Sequence, residues 1–170
     1  LIDMTRAYAA LQAKGKAVAP YGIVKVTSAS GELLYQRAKE PDLQLIDPWV
    51  AAGMTDMMQT AVSAGTGRAA QIGRPVAGKT GTTSSNKDGW FMGFSSGITT
   101  GVWMGRDDAR PVRDLQGGRA PAMAFAHEIA RTFWSSNSNQ CYKRFIRCAW
   151  IVYHILQCNR YCRKHGAYGN

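Results

Sequence analysis

Lys79-Thr80-Gly81-Thr82 brings a cation, two hydroxyls and an unsubstituted backbone together at the end of a strand-like stretch that begins near Pro75. These are groups that grip a carboxylate: the ammonium supplies charge and the hydroxyls donate hydrogen bonds. In an extended chain successive side chains alternate, so Thr80 and Thr82 share one face and their hydroxyls converge, with Lys79 beside them. Gly81 allows a ligand or a neighbouring element to approach the backbone closely. On the motif alone, an exposed strand-end lysine followed by two ordinary β-forming threonines, Thr80 and Thr82, is the favoured reading.

Other chemistry-bearing residues are sparser. Ser84 is the only serine with a lysine three positions on, Lys87, and it lies in a polar, loop-like run where Asn86 and Asp88 shape the turn. Asp107 and Asp108 sit together but lack a clear set of further ligands, so they read as a strand end facing solvent. His127 stands alone on a helix, as a surface or packing residue. Cys158 and Cys162 with His154 and His165 raise the idea of a zinc site, but their spacing forms no paired Cys-x2-Cys knuckles. No cofactor and no metal are expected.

The elements needed to position the Lys79 run are legible in the pattern. Leu1, Met4, Tyr8 and Leu11 recur at helical spacing, and Lys14-Gly15-Lys16 closes that helix. Residues 23–27 and 33–36 flank Ser28-Ala29-Ser30-Gly31 as a hairpin. Asp47-Pro48 is an N-cap and first-turn pair for a helix carrying Val50, Met54, Met57, Met58 and Ala61, the methionines reading as core packing. Three strands follow, at 75–83, 90–94 and 98–104, the last two joined by Ser95-Ser96-Gly97. Their apolar character predicts helices over both faces, with Trp90, Phe91, Phe94 and Trp103 in the core. Pro121 opens a last helix whose stripe is Ala122, Ala126, Ile129 and Phe133.

Charge divides the chain. Of 21 basic and 11 acidic side chains, residues 1–134 hold 15 and 11, whereas residues 135–170 hold six basic residues and no acid. All four cysteines, Cys141, Cys148, Cys158 and Cys162, fall in the same tail. Phe145, Cys148, Val152 and Ile155 give it a weak helical spacing without a cap or a linker. Two domains are therefore expected: 1–134, and an aberrant basic Cys-containing tail at 135–170, frameshifted or disordered. A nucleic-acid arm built on the tail's basic residues and tyrosines is a thin alternative, and no nucleic acid is expected for 1–134. The run 145–158 is too short to span a bilayer as a helix and contains Arg147 and His154.

The Lys-Thr-Gly run resembles the third motif of serine β-lactamases and penicillin-binding proteins. Its setting is similar to the C-terminal part of a penicillin-binding protein transpeptidase domain, most closely the class A, bifunctional kind. The resemblance is carried by residues 3–11, by Gly65-Thr66-Gly67-Arg68-Ala69-Ala70 before the motif, by Asp88-Gly89-Trp90-Phe91-Met92-Gly93-Phe94 and the run 100–108 after it, and by Gly117-Gly118-Arg119-Ala120-Pro121 before the last helix. It extends to about Phe133. The family's Ser-x-x-Lys and Ser-x-Asn motifs are absent from their expected places. Ser84-Ser85-Asn86-Lys87 and Ser135-Ser136-Asn137 are only chance echoes of them. With a first residue that is not an initiator and lies inside a helical pattern, the chain reads as a fragment.

The resemblance implies an α/β (α+β) fold, an antiparallel central sheet flanked by helices, here incomplete. It implies a peptidoglycan D,D-transpeptidase that cross-links stem peptides through a serine acyl-enzyme and binds β-lactams. The parent would be anchored at the cytoplasmic membrane, facing the periplasm or cell exterior. Lys79 would then serve electrostatics and proton traffic, Thr80 and Thr82 the substrate carboxylate, with Gly81 between them and the Thr82 N–H as an oxyanion donor. A serine β-lactamase-like hydrolase shares motif and fold class. A non-enzymatic remnant with a basic binding tail is the third reading. Without the nucleophile motif, the chain alone is expected to form no stable acyl-enzyme.

Overall fold

The computed structural model describes residues 1–38, 41–134 and 151–156. Among the described residues, nine elements run in the order α1 (Ile2–Gln12), β1 (Lys25–Thr27), β2 (Leu33–Gln36), α2 (Pro48–Ser63), β3 (Ala77–Thr82), β4 (Asp88–Ser95), β5 (Ile98–Gly105), α3 (Ala120–Trp134) and β6 (Ile151–Leu156), with short 3-10 turns at Arg68–Ala70 and Ser84–Asn86. β3, β4, β5 and β6 form one antiparallel sheet in that order, so β3 is an edge strand; β1 and β2 form a separate hairpin. The mixed α/β expectation with an antiparallel central sheet is met.

Strand parity sorts the layers. On β5, Thr99 donates from Oγ1 to Gln12 Oε1 of α1 at 2.9 Å, whereas Val102 packs in one cluster with Phe125 and Ile129 of α3. Residues of opposite parity therefore meet helices on opposite faces. α1 and α2 cover one side, where Met58, Ala77 and Phe94 cluster with Tyr8 and Leu11. α3 covers the other, its Phe125 ring 4.7 Å from that of Phe91. Both faces are thus covered, as the apolar strands require.

Each helix buries a stripe that only partly matches the one its spacing suggests. In α1 the buried residues are Thr5, Ala9 and Ala10, while Met4 is exposed. Small side chains let α1 lie close to the sheet, and Gly101 of β5 presents no Cβ where Thr5 and Met92 pack against it. In α2, Ala51, Met58 and Val62 are buried, whereas Met54 and Met57 are exposed, so only one of three methionines is core. A helix that is apolar on more than one side has no unique inward face until a sheet selects one. In α3 the stripe is Ala122, Phe125 and Ile129, Phe125 taking the place expected for Ala126.

The boundaries have local causes. Gly15, at φ 85°, donates its N–H to the Ala10 carbonyl at 2.8 Å and closes α1. Pro48 opens α2 at its first turn, but Asp47 makes no side-chain cap bond. The hairpin turns at 28–31 through Gly31, φ 86°, as its sequence predicts. It is exposed along both strands, leaving Ile23, Val24, Leu33, Leu34 and Tyr35 open to solvent.

Of the helical spacing expected in the tail, Val152 and Ile155 lie instead in a strand, Ile151–Leu156, which pairs antiparallel with β5, Val102 opposite Val152, while Phe145 and Cys148 lie outside the described residues. Three of its six residues are β-branched and another is tyrosine, which favours extension along an available sheet edge. All four cysteines, His165 and the Ser135-Ser136-Asn137 run lie outside the described residues. Among the described residues no helix is long and apolar enough to cross a membrane.

Candidate functional site

The four motif residues occupy the last part of edge strand β3, and its register on β4 fixes where each side chain goes. Lys79 lies opposite Met92, Thr80 opposite Phe91, Gly81 opposite Trp90 and Thr82 opposite Gly89. Directly opposed residues share a face. Phe91 belongs to the α3 side and Met92 meets Thr5 of α1, so the two threonines face α3 and Lys79 the α1 side.

Lys79 nonetheless reaches back over the strand. Its Nζ donates to the Thr80 carbonyl at 2.8 Å and lies 3.4 Å from Thr80 Oγ1. Lys79 and Thr82 are exposed and Thr80 half-buried, which leaves cation and hydroxyls accessible together at the sheet edge. Gly81 is needed for a neighbouring element: a Cβ there would stand 3.2 Å from Trp90 Cβ, tighter than ordinary packing.

Two further groups touch the hydroxyls. Thr66 Oγ1 is 2.8 Å from Thr80 Oγ1, and the Gly117 N–H donates to Thr82 Oγ1 at 3.0 Å. Both residues lie in runs noted in the sequence, Gly65-Thr66-Gly67 and Gly117-Gly118, but nothing local shows that these runs meet the motif strand. Glycines flanking a threonine were the available signal.

The turn after β3 is held by Asp88. It accepts from Thr83 Oγ1 at 3.1 Å and from Trp103 Nε1 at 3.0 Å, and its own N–H donates to Thr83 Oγ1 at 2.9 Å. Asn86 adopts φ 54° and accepts from the Val112 N–H, so both residues shape the loop as expected. Ser84 and Lys87 are exposed there. Between them Ser85, at φ 60°, leaves helical geometry, so the pair lacks the shared helix face that its spacing would give in a helix.

Of the four aromatics assigned to the core, Phe91 and Phe94 are buried. Trp90 and Trp103 are half-buried, their rings 6.3 Å apart and tilted by 57°. They lie along β4 and β5 beyond Thr99 and Gly101, the positions that α1 covers. Asp108 is an exposed strand-end carboxylate clasped by Arg106 at 2.8 Å through two nitrogens. That hydrogen bonding, opposed by slight desolvation and helped by the Arg110 backbone N–H, lowers its pKa from 3.8 to about 2. Asp107 and His127 are exposed. No group of three or more metal-ligating side chains occurs among the described residues.

The family model described as Penicillin binding protein transpeptidase domain matches residues 1–106. The chain belongs to the penicillin-binding protein transpeptidase family. Penicillin-binding protein 1A of Mycolicibacterium smegmatis is 37% identical over 111 residues, covering 62% of this chain and 14% of that protein. The structure of PonA1, a penicillin-binding protein from Mycobacterium tuberculosis, is similar over 86% of this chain and 41% of its own, with 29% identity and a TM-score of 0.71. Its complex with penicillin V gives a TM-score of 0.69 at the same identity and coverage. The resemblance to class A penicillin-binding proteins and the helix-flanked antiparallel sheet are thereby established. The chain spans only a small part of the protein 1A relative and less than half of the PonA1 structure.

Proposed function

We propose that this chain supplies the carboxylate clamp of a serine acyl-transfer site in a peptidoglycan D,D-transpeptidase. The single observation that carries this reading is Lys79 Nζ at 3.4 Å from Thr80 Oγ1 on edge strand β3, with Thr82 on the same strand face as Thr80. Membership in the penicillin-binding transpeptidase family supports it.

In this reading Thr80 and Thr82 donate to the terminal carboxylate of a D-Ala-D-Ala stem peptide or to the carboxylate of a β-lactam. Lys79 adds charge and carries protons. Strand alternation turns every second backbone N–H of an edge strand outward, and the Thr82 N–H serves as one oxyanion donor. A serine hydroxyl attacks the penultimate D-Ala carbonyl, the peptide C–N bond breaks, and D-Ala leaves as the protonated amine. An amine from a second stem then displaces the serine. That serine, its lysine base and the Ser-x-Asn group come from sequence other than this chain. The complete protein works at the outer face of the cytoplasmic membrane, with stem peptides and β-lactams as its ligands.

Nuclear magnetic resonance titration of the chain with N-acetyl-D-Ala-D-Ala and with its C-terminal amide tests the reading. Shifts at Thr80, Gly81 and Thr82 that require the free carboxylate support it. An equal response to both compounds, or none, overturns it. Intact-mass measurement with benzylpenicillin should show no covalent adduct, and stoichiometric labelling would reassign the nucleophile to a serine of this chain.

A further inference from the structure

We infer that Thr66 and the Gly117 backbone N–H are positioning groups that orient the two clamp hydroxyls, an inference that rests on the carboxylate reading above. A hydroxyl offers one proton and two lone pairs. Its proton is available to a ligand only when its other contacts engage the lone pairs. Gly117 meets this condition for Thr82: a backbone N–H can only donate, so at 3.0 Å it occupies a lone pair of Oγ1. The Thr82 proton is left for an acceptor.

Thr66 does the same for Thr80. The 2.8 Å contact between Oγ1 atoms is neutral in direction, but Lys79 Nζ, 3.4 Å from Thr80 Oγ1, also has only protons to offer. With an anion at the sheet edge, the consistent arrangement runs Thr66 O–H to Thr80 Oγ1 and Thr80 O–H to the ligand. Each bond in such a chain polarises the next.

The geometry is built rather than incidental. Thr66 arrives from the turn after α2 and Gly117 from the turn before α3, so segments from opposite sides of β3 in sequence meet at one strand. Gly117 is buried, and a Cβ on it would run into the Gly81 and Trp90 carbonyls. A Cβ on Gly118 would meet the Thr66 carbonyl. The paired glycines thus let the backbone come within hydrogen-bond reach of the motif, which no larger residue permits without displacement.

Two measurements on the full 170-residue chain test the inference. In the first, the dissociation constant for N-acetyl-D-Ala-D-Ala is compared in wild type, Thr66→Val and Thr66→Ser. Losing one orienting bond weakens binding about five- to tenfold in Thr66→Val, while Thr66→Ser stays within about twofold and melting temperatures are unchanged. Equal affinity of wild type and Thr66→Val overturns the role of Thr66. Absence of any carboxylate-dependent binding in wild type instead defeats the carboxylate reading itself.

The second measurement needs no ligand. Gly117 amide exchange should be protected in wild type and in Thr82→Ser, and at least about tenfold faster in Thr82→Val. Unchanged protection in Thr82→Val overturns the role assigned to Gly117, whatever the binding data show.

Discussion

Lys79 points to the opposite face of β3 from Thr80, yet its Nζ donates to the Thr80 carbonyl at 2.8 Å. Charge and hydroxyl are brought together over the rim of an edge strand, where neither is enclosed. Lys79→Gln should therefore weaken carboxylate binding with little cost to folding, because the side chain is exposed. A loss of about ten- to 150-fold in affinity is expected, the range for a hydrogen bond to a charged group. Titration with N-acetyl-D-Ala-D-Ala beside thermal unfolding checks both halves.

Thr80→Val and Thr82→Val remove donors of similar shape. Each should weaken the same ligand about tenfold or more, in line with ~1.5 kcal/mol or more for a hydrogen bond to a charged acceptor. Binding of the amide-capped dipeptide should not change, which separates the clamp from general packing.

The fold depends on the ring contact across the α3 face. Phe125 is fully buried and lies 4.7 Å from Phe91. Phe125→Ala should destabilise the chain by about 3–5 kcal/mol, the cost of removing a buried aromatic and leaving a cavity. Urea unfolding followed by tryptophan fluorescence measures it.

Asp108 gives a pH signature distinct from the site. Its folded pKa, lowered to about 2 by Arg106, lies below the unfolded value of about 3.9. The folded state therefore holds the carboxylate more readily. The contribution to stability is fully present above about pH 4 and lost as pH falls towards 2. Carboxyl carbon resonances should place the midpoint near 2 and return it towards the ordinary range in Arg106→Gln.

The exposed β1–β2 hairpin predicts behaviour in solution. Leu34 is 61% exposed and Leu33 54%, next to other open apolar side chains. Leu34→Lys should change stability by no more than about 0.5 kcal/mol while lowering dye binding by 8-anilinonaphthalene sulfonate, which reports open apolar surface.

The sequence by itself determined the elements from α1 to α3 and their order. Helix and strand periods, Gly15, Pro48 and the 28–31 turn act over a few residues, and local chemistry is enough to set them. It also carried the Lys79-Thr80-Gly81-Thr82 run and the order of flanking motifs that marks the transpeptidase family. Only the tertiary structure decided which face of each helix is inside, because α2 carries apolar residues on several sides and the sheet chooses Ala51, Met58 and Val62. The same holds for β6, where an unpaired edge of β5 turns β-forming residues into a strand despite a weak helical spacing. The surroundings of the clamp depend on the tertiary structure most of all. Thr66 and Thr80 are 14 positions apart and Gly117 and Thr82 are 35 apart. No period in the chain links them; chain folding across β3 does.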